Sequence, residues 1–187
     1  MSEKELLDFC RVKKIFDKGF GFLASLYYEE PVFFHFNKVK DPDIKVKLEK
    51  LKRGEVYFFF TSVFHNGKRK VLKLWLDVKD IDKNLIPDFV ERIIEEMNGG
   101  KINVFETAYV IKQLRENNFI SKEKLEEILF SKKISKTPSV LKAIISNNEE
   151  GLSKKIDEAI ELLETKKINY ADFAEVVLRN FYNEDGH

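Results

Sequence analysis

Lys18-Gly19-Phe20-Gly21-Phe22-Leu23 and Val32-Phe33-Phe34-His35-Phe36 are the two segments that decide the fold of the first half of this 187-residue chain. Side chains alternate between the two faces of a strand, so Phe20 and Phe22 share one face of the first segment, and Phe33 and His35 share one face of the second. If the two strands are neighbours and these faces coincide, the sheet carries an aromatic platform. Gly19 and Gly21 leave the other side of their strand almost bare, which is unlike an ordinary alternating core pattern. Exposed rings flanked by lysines are what a protein needs to stack unpaired bases and hold the phosphates between them.

The two segments resemble the ribonucleoprotein motifs of the cold-shock domain, KGFGFI and VFVHF, and the likeness covers roughly Phe9 to Lys79. Val12-Lys13 matches the start of the family's first strand. Arg53-Gly54-Glu55-Val56-Tyr57-Phe58 resembles its glycine-led fourth strand, and residues 67–78 can supply the fifth. The resemblance implies a five-stranded OB-type β-barrel that binds single-stranded RNA or DNA with little sequence preference. It assigns stacking to Phe20, Phe22, Phe33 and His35, and phosphate contacts to Lys13 and Lys18. Strict alternation turns Phe36 inward with Phe34, whereas the resembling motif puts that ring on the binding surface. The departures point to a diverged relative, with S1-type domains as the nearest alternative. Lys14 stands where the family has a stacking Trp, the turn at Phe16-Asp17 is shorter, and the connection from Asn37 to Arg53 is longer. Residues 43–51 in that connection read as a short lysine-rich helix.

Charge and aromatic content agree with this reading. Residues 1–80 hold 17 Lys+Arg against 12 Asp+Glu, a surplus of +5; residues 81–187 hold 16 against 20, a deficit of −4. Of the 17 Phe residues, 11 lie before position 81. Phosphate attraction supplies affinity and stacking adds about 1–3 kcal/mol per base, so both ingredients fall in one segment. Lys68 and Arg69, with Lys70 and Lys73 behind them, add a basic rim that can steer polyanions.

Periodicity changes along the chain. Residues 56–61 and 71–76 favour strands, joined by His65-Asn66-Gly67-Lys68, whose Asn-Gly is a strong hairpin signal. Beyond a boundary near 80–86 the period becomes helical, predicting domains at 1–80 and 81–187: a multi-domain β plus α chain with a bundle of about six helices. Phe89, Val90, Ile93, Ile94 and Met97 share a face of the first helix. Val104 to Glu116 follows, with Phe105, Ala108, Ile111 and Leu114 inward. Ser121 caps a third helix, Thr137-Pro138 opens a fourth, Ser153 begins a fifth and Asn169 caps a sixth. Ile120-Ser121 with Leu125, Ile128 and Leu129 is echoed 48 residues on by Ile168-Asn169 with Phe173, Val176 and Val177, a faint sign of repeated helical hairpins.

No catalytic pattern stands out. The three histidines are His35, His65 and His187, with no metal-protease, nucleophile-elbow or phosphate-loop motif. The single Cys10 rules out an internal disulfide or a cysteine-cluster zinc site and suggests a reducing compartment. No apolar leader or membrane-length run is evident. The expectation is a cytoplasmic, non-enzymatic binder of single-stranded nucleic acid, RNA ahead of DNA, with no cofactor or metal and no membrane partner. It would act as an RNA chaperone or expression regulator. The alternative is a protein-interaction adaptor whose helical half binds a partner and whose barrel has lost most of its affinity, Lys14 being the feature that favours it. A homodimer through the helices is a further expectation.

Overall fold

A computed structural model describes residues 3–12, 20–35, 39, 42–43, 46, 56–99, 102–131, 138–145 and 150–182. The chain divides into two compact units, Met1–Glu91 and Arg92–His187.

The first unit is built on five strands, β1 (Asp8–Val12), β2 (Phe20–Leu23), β3 (Val32–His35), β4 (Val56–His65) and β5 (Lys68–Trp75). They form one curled sheet in the order β1-β4-β5-β3-β2, a half-barrel whose edge strands β1 and β2 approach each other. All neighbours are antiparallel except β3 and β5, so the sheet is not a simple meander. The hairpin between β4 and β5 turns on Asn66 and Gly67, with φ of 52° and 76°. Two consecutive left-handed residues make the tight turn whose twist suits a hairpin, which is why Asn-Gly occupies it.

Alternation places Cys10, Leu23, Val32, Phe34, Phe58 and Phe60 on the concave face, where they form the barrel core with Val71, Leu74 and Leu76 against them. Val71 and Leu74 are three residues apart and still share that face. A β-bulge at Leu72 permits this, since Thr61 opposes Lys73 while Ser62 opposes Val71, so the alternation of β5 is reset between them.

The convex face is treated differently along its width. Over β1 and β4, the rings of Phe9 and Phe59 (centroids 5.3 Å apart) are buried, and Phe89 meets Phe59 edge-on at 6.1 Å. Two short 3-10 turns, at Val78–Asp80 and Lys83–Leu85, lead into α1 (Ile86–Gly99); Val78, Ile81, Leu85 and Ile86 along this segment are buried, as is Phe89. Lys4 pairs with Asp88 at 2.8 Å. These contacts carry the division between units to position 91, within α1, whereas the change of sequence period places it near 80–86. Buried Asp8 ties the strand ends together. Its carboxylate accepts from the backbone N–H groups of Phe9 and Leu26, both at 2.8 Å, and from the Ser25 hydroxyl.

The second unit contains the remainder of α1 and α2 (Val104–Glu116), α3 (Lys122–Leu129), α4 (Pro138–Ile145), α5 (Glu150–Glu164) and α6 (Tyr170–Phe181). Six helices therefore follow the sheet among the described residues. Asn103, Ser121 and Asn169 each cap a helix through a side-chain oxygen that accepts a first-turn N–H. The fifth helix starts at Glu150, ahead of the expected Ser153, and Phe105 is half exposed instead of facing inward. The 48-residue echo is visible in the backbone. Asn118 and Lys166 both take left-handed φ (63° and 60°), and the next N–H, from Phe119 or Lys167, reaches back 2.9 Å to the carbonyl of Leu114 or Leu162. Both turns thus end their helix with the same crossed capping bonds. Helices α3 and α6 run antiparallel, with the Tyr170 hydroxyl donating to the Leu129 carbonyl and the Tyr182 hydroxyl to the Ile120 carbonyl. Arg115 is buried in this unit, its guanidinium 4.1 Å from the Phe181 ring and its Nε donating to the Ile144 carbonyl at 3.2 Å. Burial pushes its pKa down.

No helix is long and apolar enough to cross a membrane among the described residues. The lysine-rich helix expected over residues 43–51 falls largely outside the described residues.

Candidate nucleic-acid interface

The pairing of β2 with β3 settles the arrangement of the two aromatic segments. Phe20 lies directly opposite His35 and Phe22 directly opposite Phe33. Directly opposed residues point to the same side of a sheet, so all four rings share the convex face. Their neighbours Leu23, Val32 and Phe34 are buried on the concave side, and Gly21 lies opposite Phe34. The glycine carries no side chain there, leaving the core space beside it to the Phe34 ring.

Phe33 touches each of the other three rings. Phe33 is central, with Phe20 at 6.2 Å and 28° between planes, Phe22 at 5.6 Å and 65°, and His35 at 6.4 Å and 42°. These offset and edge contacts are the geometries aromatic pairs prefer, and they hold each ring before any ligand arrives. Phe22 is 58% exposed, more than any other large apolar side chain among the described residues. Phe20, Phe33 and His35 are half-buried. The buried layer of Phe9, Phe59 and Phe89 lies over β1 and β4, so the rings occupy the part of the convex face left open, over β2, β3 and β5.

Strand β5 sorts its basic residues by side. Lys70 is paired with Phe33 across the parallel β3–β5 contact and with Val63 on β4, which puts it on the ring-bearing face. Lys68 shares that face by alternation and is exposed. Arg69 points the other way and is 6% exposed. Its guanidinium lies 3.4 Å from the centre of the Tyr28 ring and binds Glu3 through two hydrogen bonds of 2.8 and 3.2 Å, with Glu30 3.7 Å away. The Arg69 hydrogen bonds, joined by one from the Tyr28 hydroxyl, hold the Glu3 carboxyl below the usual carboxylate range. Burial, helped by that bond to Glu3, pushes the Tyr28 phenol up. Lys73 is also engaged, with Asp82 at 3.1 Å and Glu5 at 3.3 Å, and these two partners raise its pKa.

The expected site residues therefore separate into groups. Phe20, Phe22, Phe33 and His35 come together, with Lys68 at the margin of their face. Arg69 is brought instead to the Glu3–Tyr28 cluster, where a carboxylate already fills its fork, so it is not available as the phosphate contact expected from its position. Lys13, Lys14, Lys18 and Phe36 lie outside the described residues. Lys70 belongs to the open face, and Leu72, 55% exposed, is the bulge residue that follows it on β5; neither was singled out by the motif. The sequence signal for them was parity along β5, readable only once the β3–β5 register is known. Among the described residues no group of three or more His, Cys, Asp or Glu side chains is gathered as metal ligands would be.

No family model, curated protein or solved structure matches this chain. The reading of the site rests on its own chemistry.

Proposed function

We propose that this protein binds single-stranded nucleic acid, RNA ahead of DNA, by stacking bases on Phe20, Phe22, Phe33 and His35. The observation that carries the proposal is the gathering of four rings, three of them in contact with Phe33, on the uncovered part of a convex sheet face whose opposite side is an apolar core. A ring needed only for packing would be expected to be covered, as Phe34 and Phe58 are on the concave side and Phe9 and Phe59 on the convex one, whereas Phe22 is 58% exposed. Stacking is tolerant of base identity because every base offers a π-face. Such a surface would keep strands unpaired, the work of an RNA chaperone or expression regulator in the cytoplasm.

We further read the first unit as a diverged cold-shock-type OB barrel. The five strands, the partly open edge between β1 and β2, and the non-sequential strand order support that assignment. Lys13 and Lys18 retain the phosphate role that the motif resemblance gives them.

Fluorescent single-stranded RNA and DNA oligonucleotides titrated at two salt concentrations test the proposal, with wild type and a Phe22→Ala/Phe33→Ala double variant. Salt-sensitive binding by wild type is expected, weakened in the variant by more than about 2 kcal/mol for two lost stacks. Equal binding by a folded double variant would remove the platform from the account. No binding by wild type would favour the adaptor reading. The place to look for a partner would then be a groove of about 280 Å³ between α3 and α6, where Phe130 and Leu178 lie among Lys122, Glu126, Glu175 and Arg179.

A further inference from the structure

We propose that a bound strand crosses β2, β3 and β5 in turn, and that Lys70 holds the backbone phosphate next to the base stacked on Phe33. The inference rests on the single-strand reading above and gives it a direction and a new contact residue.

Three observations fix the path. First, the parallel register sets Lys70 beside Phe33 on the same face, one strand spacing away, about 4.8 Å. A lysine stem of four carbons carries its ammonium from that position over or along the edge of the ring. Second, the basic residues of β5 divide by occupancy as well as by side. Arg69 and Lys73 are bound to Glu3, Glu5, Glu30 and Asp82, whereas Lys68 and Lys70 have no acidic partner within ion-pair distance among the described residues. A cation left without a carboxylate next to an open aromatic surface is one whose charge is available to a phosphate. Third, the face is closed toward β1 and open toward the β4–β5 hairpin. Beyond Phe9 and Phe59 the convex side is buried under the segment that ends in α1, but Leu72 and Val63 remain 55% and 37% exposed on either side of Lys70. The bulge sets Leu72 further along β5 in the direction in which His35 lies beyond Phe33 on the parallel strand. An exposed apolar side chain thus lies along β5 toward the His35 end. A strand leaving the rings therefore has one continuous route over described residues, across β5.

The test is the salt dependence of binding by the full chain, using fluorescence anisotropy with oligouridine and oligothymidine. For a single strand, each phosphate neutralised contributes about 0.7 to the slope of log K against log salt. Lys70→Gln keeps most of the stem and removes the charge, so its slope should fall by about 0.7, with several-fold weaker binding at low salt. Lys70→Arg should restore the slope. Lys79→Ala, which alters an exposed lysine facing Asp77 outside the ring-bearing face, should leave it unchanged. If wild type binds and Lys70→Gln keeps the wild-type slope, the path across β5 is wrong while the stacking platform stands. If Lys79→Ala lowers the slope as much as Lys70→Gln, the charge effect is general and the assignment to Lys70 fails. If wild type does not bind either oligonucleotide, the platform reading fails and this inference with it.

Discussion

Phe33 and Phe34 are chain neighbours on opposite sides of one strand, and replacing each with alanine should separate binding from stability. Phe34 is 4% exposed and its ring lies 5.4 Å from that of Phe58 in the barrel core. Truncating a buried Phe leaves a cavity as well as losing apolar transfer energy, so Phe34→Ala should cost about 3–5 kcal/mol of stability. Phe33 is half-buried, and what holds it are its contacts with Phe20, Phe22 and His35. Aromatic pairs contribute about 0.5–1.5 kcal/mol each beyond their buried area, so Phe33→Ala should cost clearly less than its neighbour. Its effect on affinity should be the larger one. A lost base stack of about 1–3 kcal/mol corresponds to roughly 5- to 140-fold weaker binding. Trp75 is the single Trp and lies in β5, so its fluorescence during urea unfolding reports on the first unit alone. Anisotropy titration of the folded variants supplies the affinities. The reasoning is refuted if Phe33→Ala loses as much stability as Phe34→Ala while its folded fraction binds like wild type.

Other perturbations test the supporting structure. Asp8→Ala removes an acceptor of two backbone N–H groups and a hydroxyl, and with hydrogen bonds to charged groups at about 1.5–3 kcal/mol each, it should lower the Trp75-monitored unfolding midpoint more than any exposed substitution; Asp8→Asn should recover part of the loss. Ser121→Ala and Asn169→Ala each delete a helix cap and should cost about 1 kcal/mol in unfolding followed by circular dichroism. Burial holds the Tyr170 phenol at about 12, above its ordinary value of 10, so its stabilisation is complete below pH 10 and is lost as pH rises through about 12. In an alkaline titration followed by phenolate absorbance, Tyr170→Phe should remove a late-ionising group. Glu3 is shifted the other way by Arg69, so its contribution is present above the ordinary carboxylate range and disappears as pH falls through the lowered folded value; Glu3→Gln should flatten the acid limb of the stability curve.

How much of this could be read from the sequence depended on whether the deciding contacts were local. The hairpin at Asn66-Gly67 was legible because two left-handed residues in a row require that pair of residue types. The helices were legible because their apolar period and caps are local, and Leu125, Ile128, Phe173 and Val177 are buried as their spacing requires. Phe20, Phe22, Phe33 and His35 could be placed together because alternation fixes each pair and the opposed register follows from a short connection. Arg69 and Lys70 could not be told apart in the same way. Their sides depend on pairing β5 with β3, over thirty residues away in sequence, and on Glu3 reaching back from the chain start. Phe105 differs for a related reason, since a helix stripe shows which residues share a face but not how much of that face a neighbour covers.

The bulge at Leu72 links the fold to the proposed surface. Strict alternation from Lys70 would turn Leu72 and Leu74 to the convex side and Val71 and Lys73 to the concave side. One inserted residue allows Val71 and Leu74 both to fill the core and sends Lys73 out to Glu5 and Asp82, beside the buried convex layer. On the N-terminal side of the bulge, Lys68 and Lys70 keep the parity that faces Phe33. On the convex side, β5 thus carries Lys73 paired with carboxylates where the sheet is covered, and Lys68 and Lys70 without an acidic partner among the described residues where it is open. Deleting Leu72 would leave Val71 and Leu74 two positions apart, both still on the concave side with Lys73 between them on the convex side, so the ladder would run on without a bulge. The residue lost is 55% exposed, so Trp75-monitored unfolding of the deletion variant should stay within about 0.5 kcal/mol of wild type. A loss of about 1.5–3 kcal/mol, the burial of one apolar side chain, would show that Val71 or Leu74 had left the core and would refute the parity argument.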